Sequence, residues 1–368
     1  MREMTENSVV VQKFQKSSRD NNFNVIRLTA AIFVFAGHMG LIRGGQAPLL
    51  GSYGLHELGV GILFLIGGYL ITMSWVTDSN PLRYGIRRFL RLWPPFAIFI
   101  LIMVFVAGPL LSDLGAEGYF ESWYQTYLQN LRFFTIYAQP GVFTNLPIPN
   151  TTNGSLWTMP VEACLYLITP FVLTILRVKS HPKASFYGMA IITGAAVAFD
   201  IFLRVGFSGK TVVFYGTDLI AAFHLTVFYM IGMLFTYEEM KKYLNLQAGC
   251  VAMCFLFVFQ FASGFMQYLM LYIIFPYFIF SLAFTSKPFF GKVGRKMEIS
   301  YGIYLYGFFF QQLVVYFQQK QGLQLGYAET FLYSLLLTIA AATVSYFLVE
   351  MPMLKLSRFL IKKLNNKN

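Results

Sequence analysis

Charge is scarce in this chain. Only 12% of its 368 residues are Asp, Glu, Lys or Arg, about half of the roughly 25% found in a soluble domain. With 57% hydrophobic residues and a mean hydropathy of +0.58, it cannot cover a globule of its size with polar surface. A soluble enzyme is excluded. Cysteine is scarce too: Cys164, Cys250 and Cys254 are three in all, which excludes a disulfide scaffold. Their apolar surroundings predict free thiols packed as small hydrophobes. Acidic residues number 16 against 28 basic ones, a net charge of +12. In an integral membrane protein that excess reads as basic residues gathered on cytoplasmic loops, not as nucleic-acid binding. No cleavable leader is expected, because residues 1–22 are polar and mixed and the first apolar run is long enough to span.

Ten apolar runs approach the roughly 20 residues a helix needs to cross a bilayer. They lie at about 24–43, 57–77, 94–114, 156–176, 184–204, 217–237, 246–264, 266–285, 300–318 and 328–350. With the N-terminus inside, the alternate inner segments hold 22 of the 28 Lys and Arg, and the outer segments hold 5. The expected fold is therefore all-α and polytopic, with ten transmembrane helices and both termini cytoplasmic. Three parts are expected: a cytoplasmic segment 1–23, a ten-helix membrane domain 24–350, and a short basic cytoplasmic tail 351–368.

Ionisable residues inside spans are costly, so each is a functional candidate. They are Arg27, His38, Glu162, Asp200, Asp218, His224 and Glu350. Asp200 and Asp218 lie near predicted ends, where snorkelling would make them innocuous. His224, set among Ala221, Ala222 and Leu225, reads as a satisfied core histidine. Arg27 and His38 are eleven residues apart, three turns along one helical face, or about 16 Å of axis. A long ligand with a phosphate end and a reactive end would need that spacing, and a pantetheine thioester has this shape. Glu162 enters from the outer side at a similar depth, where a carboxylate would fix the imidazole tautomer and raise its basicity. Arg83, Arg87, Arg88 and Arg91 fill one inner loop without a lysine, a preference that suits bidentate phosphate binding.

These segments together resemble the acyltransferase family 3 membrane proteins, bacterial enzymes that O-acylate envelope carbohydrates. Arg27 to His38 is similar to the family's Arg, ten residues, His motif. Gly59 to Leu70 is similar to the second-helix motif, with Gly67 in place of the usual Ser. Arg88-Phe89-Leu90-Arg91 matches the Arg-x-x-Arg motif, and Ser155-Leu156-Trp157 through Glu162 matches the Ser-Leu-Trp block and its Glu. Ile299 to Tyr306 is similar to the ninth-helix motif, followed here by Gly307 and Gln311-Gln312 where many members have His. Ser345 to Glu350 and Pro352 close the tenth helix in the same way.

The resemblance implies a stand-alone O-acetyltransferase of the bacterial plasma (inner) membrane, without an appended secreted domain. Acyl-CoA, most often acetyl-CoA, would be the co-substrate, with no permanently bound cofactor and no metal. His38 and Glu162 would be catalytic, His38 as general base or acyl carrier. Arg27, Arg88 and Arg91 would hold the CoA phosphates. Asn153, Ser155 and Trp157, with the aromatic outer loop 115–155, would receive a carbohydrate or lipid-linked saccharide acceptor. The rival reading is a proton-coupled transporter or polysaccharide exporter of the same topology, although no inverted repeat is visible. A non-catalytic scaffold would leave Arg27, His38 and Glu162 unexplained.

Overall fold

The computed structural model describes residues 21–259, 261–285 and 297–366. A helix stands at each of the ten apolar runs. These are α1 (Phe23–Ile42), α2 (Leu55–Thr77), α3 (Pro81–Ile102), α4 (Thr158–Ile175), α5 (Pro182–Gly206), α6 (Leu219–Leu234), α7 (Leu246–Phe259), α8 (Gly264–Ala283), α9 (Ser300–Lys320) and α10 (Tyr327–Ser345). Among the described residues, seven helical stretches are long and apolar enough to cross a membrane, those of α1 to α5, α8 and α10. Of the remainder, α6 and α7 are apolar but short, with 16 and 14 residues. At 1.5 Å per residue, α7 covers about 21 Å of a hydrocarbon core about 30 Å thick. In α9, Gln311, Gln312, Gln318, Gln319 and Lys320 dilute the apolar character. The expected segment 1–23 lies outside the described residues up to position 20, as do the four basic residues of the 286–299 loop.

Two boundaries differ from the expected ones. The arginine-rich segment forms the first turns of α3, not a loop. Asn80 and Pro81 decide this: the Asn80 side chain accepts from Arg83 N at 3.0 Å, and Pro81 takes the first-turn position where its missing N–H is harmless. Pro94 and Pro95 lie inside the helix without ending it, as membrane helices tolerate. A π-helical turn at Met103–Ala107 carries the rod on to Leu111. Likewise, α10 runs through a π-helical turn at Tyr346–Glu350 into α11 (Met351–Asn365), so the expected tail is helical. It packs against α3, and Arg83 Nη1 donates to Asn365 Oδ1 at 3.0 Å. The thiols differ as well. All three are free but exposed on the bundle's surface, because the helices turn those apolar faces outward.

Asp78 ties the α2–α3 turn, accepting from Arg83 Nη2 at 2.6 Å and from Arg87 Nη1 at 2.8 Å. The bond from Arg83, ahead of that from Arg87, holds its carboxyl well below the usual range. The stability this clasp adds is full above the ordinary aspartate value near 3.9 and is lost only as pH falls far below it. Asp78→Asn should therefore lower thermal stability equally at pH 6 and pH 8. A loss confined to the alkaline side would contradict this assignment.

The centre of the bundle is α2, packed between α1 and α6 through glycines. A Cβ at Gly59 would come within 2.6 Å of the Ala30 carbonyl, and one at Gly68 within 2.0 Å of the Tyr229 carbonyl. From the other side, a Cβ at Gly232 would meet the Leu65 carbonyl at 2.0 Å. Small residues let membrane helices approach backbone to backbone in this way. At the end where α3 and α9 finish, the connection 112–157 folds back on the bundle. Tyr119 and Tyr127 are buried there, Tyr119 donating to Gln139 Oε1 at 2.9 Å, and Gln312 of α9 donates to the Ile148 and Thr151 carbonyls. Two short hairpins, Leu49–Leu50 with Tyr53–Gly54 and Val213–Phe214 with Thr217–Asp218, lead into α2 and α6.

Candidate active site

Three helices bring the sequence-predicted cations and carboxylate into one chamber. Arg27 comes from α1, Arg88 and Arg91 from α3, and Glu162 from α4, around a cavity of about 150 Å³. Its remaining polar walls include Tyr166, Tyr229, Tyr301 and Tyr304. Arg88 and Arg91 share a face because they stand three residues apart on a helix. Glu162 accepts from the Tyr166 hydroxyl one turn further along α4, and Thr158 Oγ1 lies 2.6 Å from the Tyr304 hydroxyl.

The arginines are not equivalent. Arg91 donates to Glu298 at 2.6 Å and to Glu350 at 3.2 Å, and Arg27 reaches the same Glu298 oxygen at 3.3 Å. Arg88 has no carboxylate partner among the described residues. It donates to Ser74 Oγ at 3.1 Å, and its guanidinium lies 5.7 Å and 5.8 Å from the ring centres of Tyr84 and Tyr166. Glu298 was not singled out from the sequence, since it falls in a segment read as basic loop. Burial alone would raise its carboxyl, but Arg27 and Arg91 override that and hold it at about 2. The signal that would have found it is the need of buried arginines for countercharge.

His38 sits beyond this chamber. Its ring is half-buried, 5.2 Å edge-on from Phe308 and 5.7 Å from the ring of His56. Phe308 follows the chamber residue Tyr304 by one turn of α9. Among the described residues His38 and Glu162 make no hydrogen bond, so the expected pair is not formed. The Glu162 carboxylate is held by Tyr166 and lies among the arginines, which attract it strongly in a low dielectric. His56 was missed because the second span was read from residue 57. Its Nδ1 is buried without a partner.

The expected acceptor residues are also placed differently. Asn153 is fully buried, donating to the Leu305 carbonyl at 2.7 Å and accepting from Ser155 N at 2.9 Å. Ser155 is buried with it, and Trp157 packs half-buried at the start of α4. A buried amide whose bonds go to backbone holds α4 against α9 and presents nothing to an acceptor. Gln311 anchors in the same manner, donating to the Phe35 carbonyl at 2.6 Å.

Asp200 is fully buried, which replaces the snorkelling expectation. It lies 2.9 Å from His224 Nδ1 and 3.1 Å from Arg204 Nε and accepts from Tyr272 at 2.5 Å, a network that satisfies His224. Asp218 caps α6, accepting from Ile220 N at 3.0 Å.

The model of the acyltransferase 3 family, described as an acyltransferase domain, matches residues 20–350. The chain belongs to that family. This acyltransferase is 25% identical over 341 residues to an O-acetyl transferase of Shigella phage Sf6, covering 90% of this chain and 95% of that one. It is 25% identical over 273 residues to the peptidoglycan O-acetyltransferase OatA of Listeria monocytogenes, covering 66% of this chain but 40% of that protein. Nodulation protein 10 of Rhizobium leguminosarum is 31% identical over 179 residues, which are 44% of this chain and 46% of that protein. No solved structure matches. Membership in this family favours the enzyme over the transporter kept above as its rival.

Proposed function

We propose that this acyltransferase moves an acetyl group from cytoplasmic acyl-CoA to a hydroxyl of an envelope or exported carbohydrate, free or lipid-linked. The O-acetyl relatives support the reaction, and the 22-to-5 division of basic residues supports ten spans in a bacterial inner membrane with both termini cytoplasmic. The observation that carries the reading is the convergence of Arg27, Arg88 and Arg91 on one chamber whose wall residue Tyr304 stands one turn before Phe308, the ring packed edge-on against His38.

In this reading the arginines hold donor phosphate at the inner mouth, and the pantetheine arm runs through the chamber toward the imidazole. His38 removes the proton of the acceptor hydroxyl, the oxygen bonds to the thioester carbonyl carbon, the C–S bond breaks, and the proton passes to the leaving thiolate. In the two-step variant, His38 itself first carries the acyl group. Glu162 balances the chamber's positive charge and positions Tyr166. On the outer face, half-exposed Phe120 and Trp123 offer stacking surface to a sugar.

Titration of purified protein with CoA and turnover of labelled acetyl-CoA test this together. Arg88→Ala should weaken CoA binding by about tenfold to a hundredfold, as loss of a charged hydrogen bond does. Arg88→Lys should recover part of it, keeping charge but losing the planar fork. Unchanged CoA affinity in Arg88→Ala would reduce the arginines to topogenic charges. Comparing envelope glycans with and without the protein by mass spectrometry identifies the acceptor.

A further inference from the structure

A second cavity of about 1120 Å³ lies on the flank of the bundle between α3 and α4. We propose that it is a binding groove for one anionic phospholipid of the inner leaflet, seated with its acyl chains between α3 and α4 and its phosphate on Arg177 and Lys179. This rests on the membrane orientation proposed above, not on the donor or acceptor.

Its walls are apolar, and several are strongly exposed: Leu167 is 71%, Phe171 69% and Ile175 78% accessible. Side chains of that kind on a membrane helix face lipid. The depth fits one leaflet. From Pro81 to Trp93 the α3 wall runs about 18 Å, against about 15 Å for half of a hydrocarbon core. Trp93 and Phe133 lie at the far end, where the Trp93 indole donates to the Leu131 carbonyl at 3.1 Å. A ligand that spans the membrane does not fit a groove stopped there.

The charge is at the other end and has one sign. Arg177 and Lys179, in the turn after α4, are exposed without a carboxylate partner among the described residues, and no acidic residue lines the groove. Basic residues at a membrane surface recruit anionic headgroups in this way. Arg88 and Tyr166 belong to both the groove and the chamber. An acyl chain in the groove therefore passes the same guanidinium that the chamber presents.

The full chain in nanodiscs of phosphatidylcholine, with and without phosphatidylglycerol, tests this by native mass spectrometry of the lipid it retains. Wild type should keep phosphatidylglycerol in preference to phosphatidylcholine. The double variant Arg177→Gln, Lys179→Gln should lose that retention by about tenfold or more, since each basic residue near the surface is worth about fivefold. Lys362→Gln with Lys363→Gln on α11 should leave it unchanged. Gly85→Phe is the second arm: a Cβ there meets nothing within 4 Å, so a ring would plug the groove with every charge intact. It too should abolish retention. Equal retention of phosphatidylcholine, or wild-type retention in both groove variants, would overturn the proposal. So would displacement of the lipid by free CoA with CoA affinity lost in both variants, which would make the groove a nucleotide seat.

Discussion

Turnover of labelled acetyl-CoA should fall by two to four orders of magnitude in His38→Ala, the contribution typical of a positioned general base. The protein should remain folded. His38 makes ring contacts to Phe308 and His56 but no hydrogen bond among the described residues, so truncation strands no buried partner. Because the chamber arginines lie elsewhere, CoA affinity should stay close to normal. Thermal unfolding, CoA titration and turnover on one preparation separate these effects. Near-normal turnover would remove His38 as base and as acyl carrier, and lost CoA affinity would move it to the donor site.

Arg91→Ala should destabilise the protein far more than Arg88→Ala, although the two residues look alike in the sequence. Glu350 exposes 1% of its side chain and Glu298 17%, and Arg91 bridges both. Removing it leaves buried Glu350 without its cation and Glu298 with Arg27 alone, and breaking a buried pair in this way typically costs about 3 to 5 kcal/mol. Arg88 has stacked tyrosines and one serine for neighbours, so its loss should fall on ligand affinity instead. Equal unfolding temperatures for the two variants would show that the Glu298–Arg91–Glu350 bridge adds nothing.

Hydropathy was enough to place a helix at each of the ten apolar runs, and the length a bilayer imposes is met by seven helical stretches among the described residues. Spacing was enough to put Arg88 and Arg91 on one face of α3, since helical periodicity fixes which side chains neighbour each other, but it set Glu162 beside His38, whereas the chamber holds it among Arg27, Arg88 and Arg91. What stayed hidden depends on contacts between distant segments. Glu298 finds Arg91 across more than two hundred residues, and Asn153 is absorbed by the Leu305 carbonyl. No local pattern records either pairing. The start of α3 was legible in Asn80-Pro81, but hydropathy outweighed the cap. The π-helical turns at 103–107 and 346–350 carry no comparable sequence mark.

Where α1 meets α2 at Gly59, and α2 meets α6 at Gly68 and Gly232, backbone lies against backbone, and at these points no side chain stands between the helices to repack. Arg27 and His38 therefore stand at the two ends of a fixed gauge, eleven residues of one helix whose neighbours hold it still. On the proposed reaction, such a frame would sort donors by reach. A thioester on a shortened arm would still engage the arginines, yet its carbonyl would stop below the imidazole, and the discrimination would register in kcat while KM barely moved.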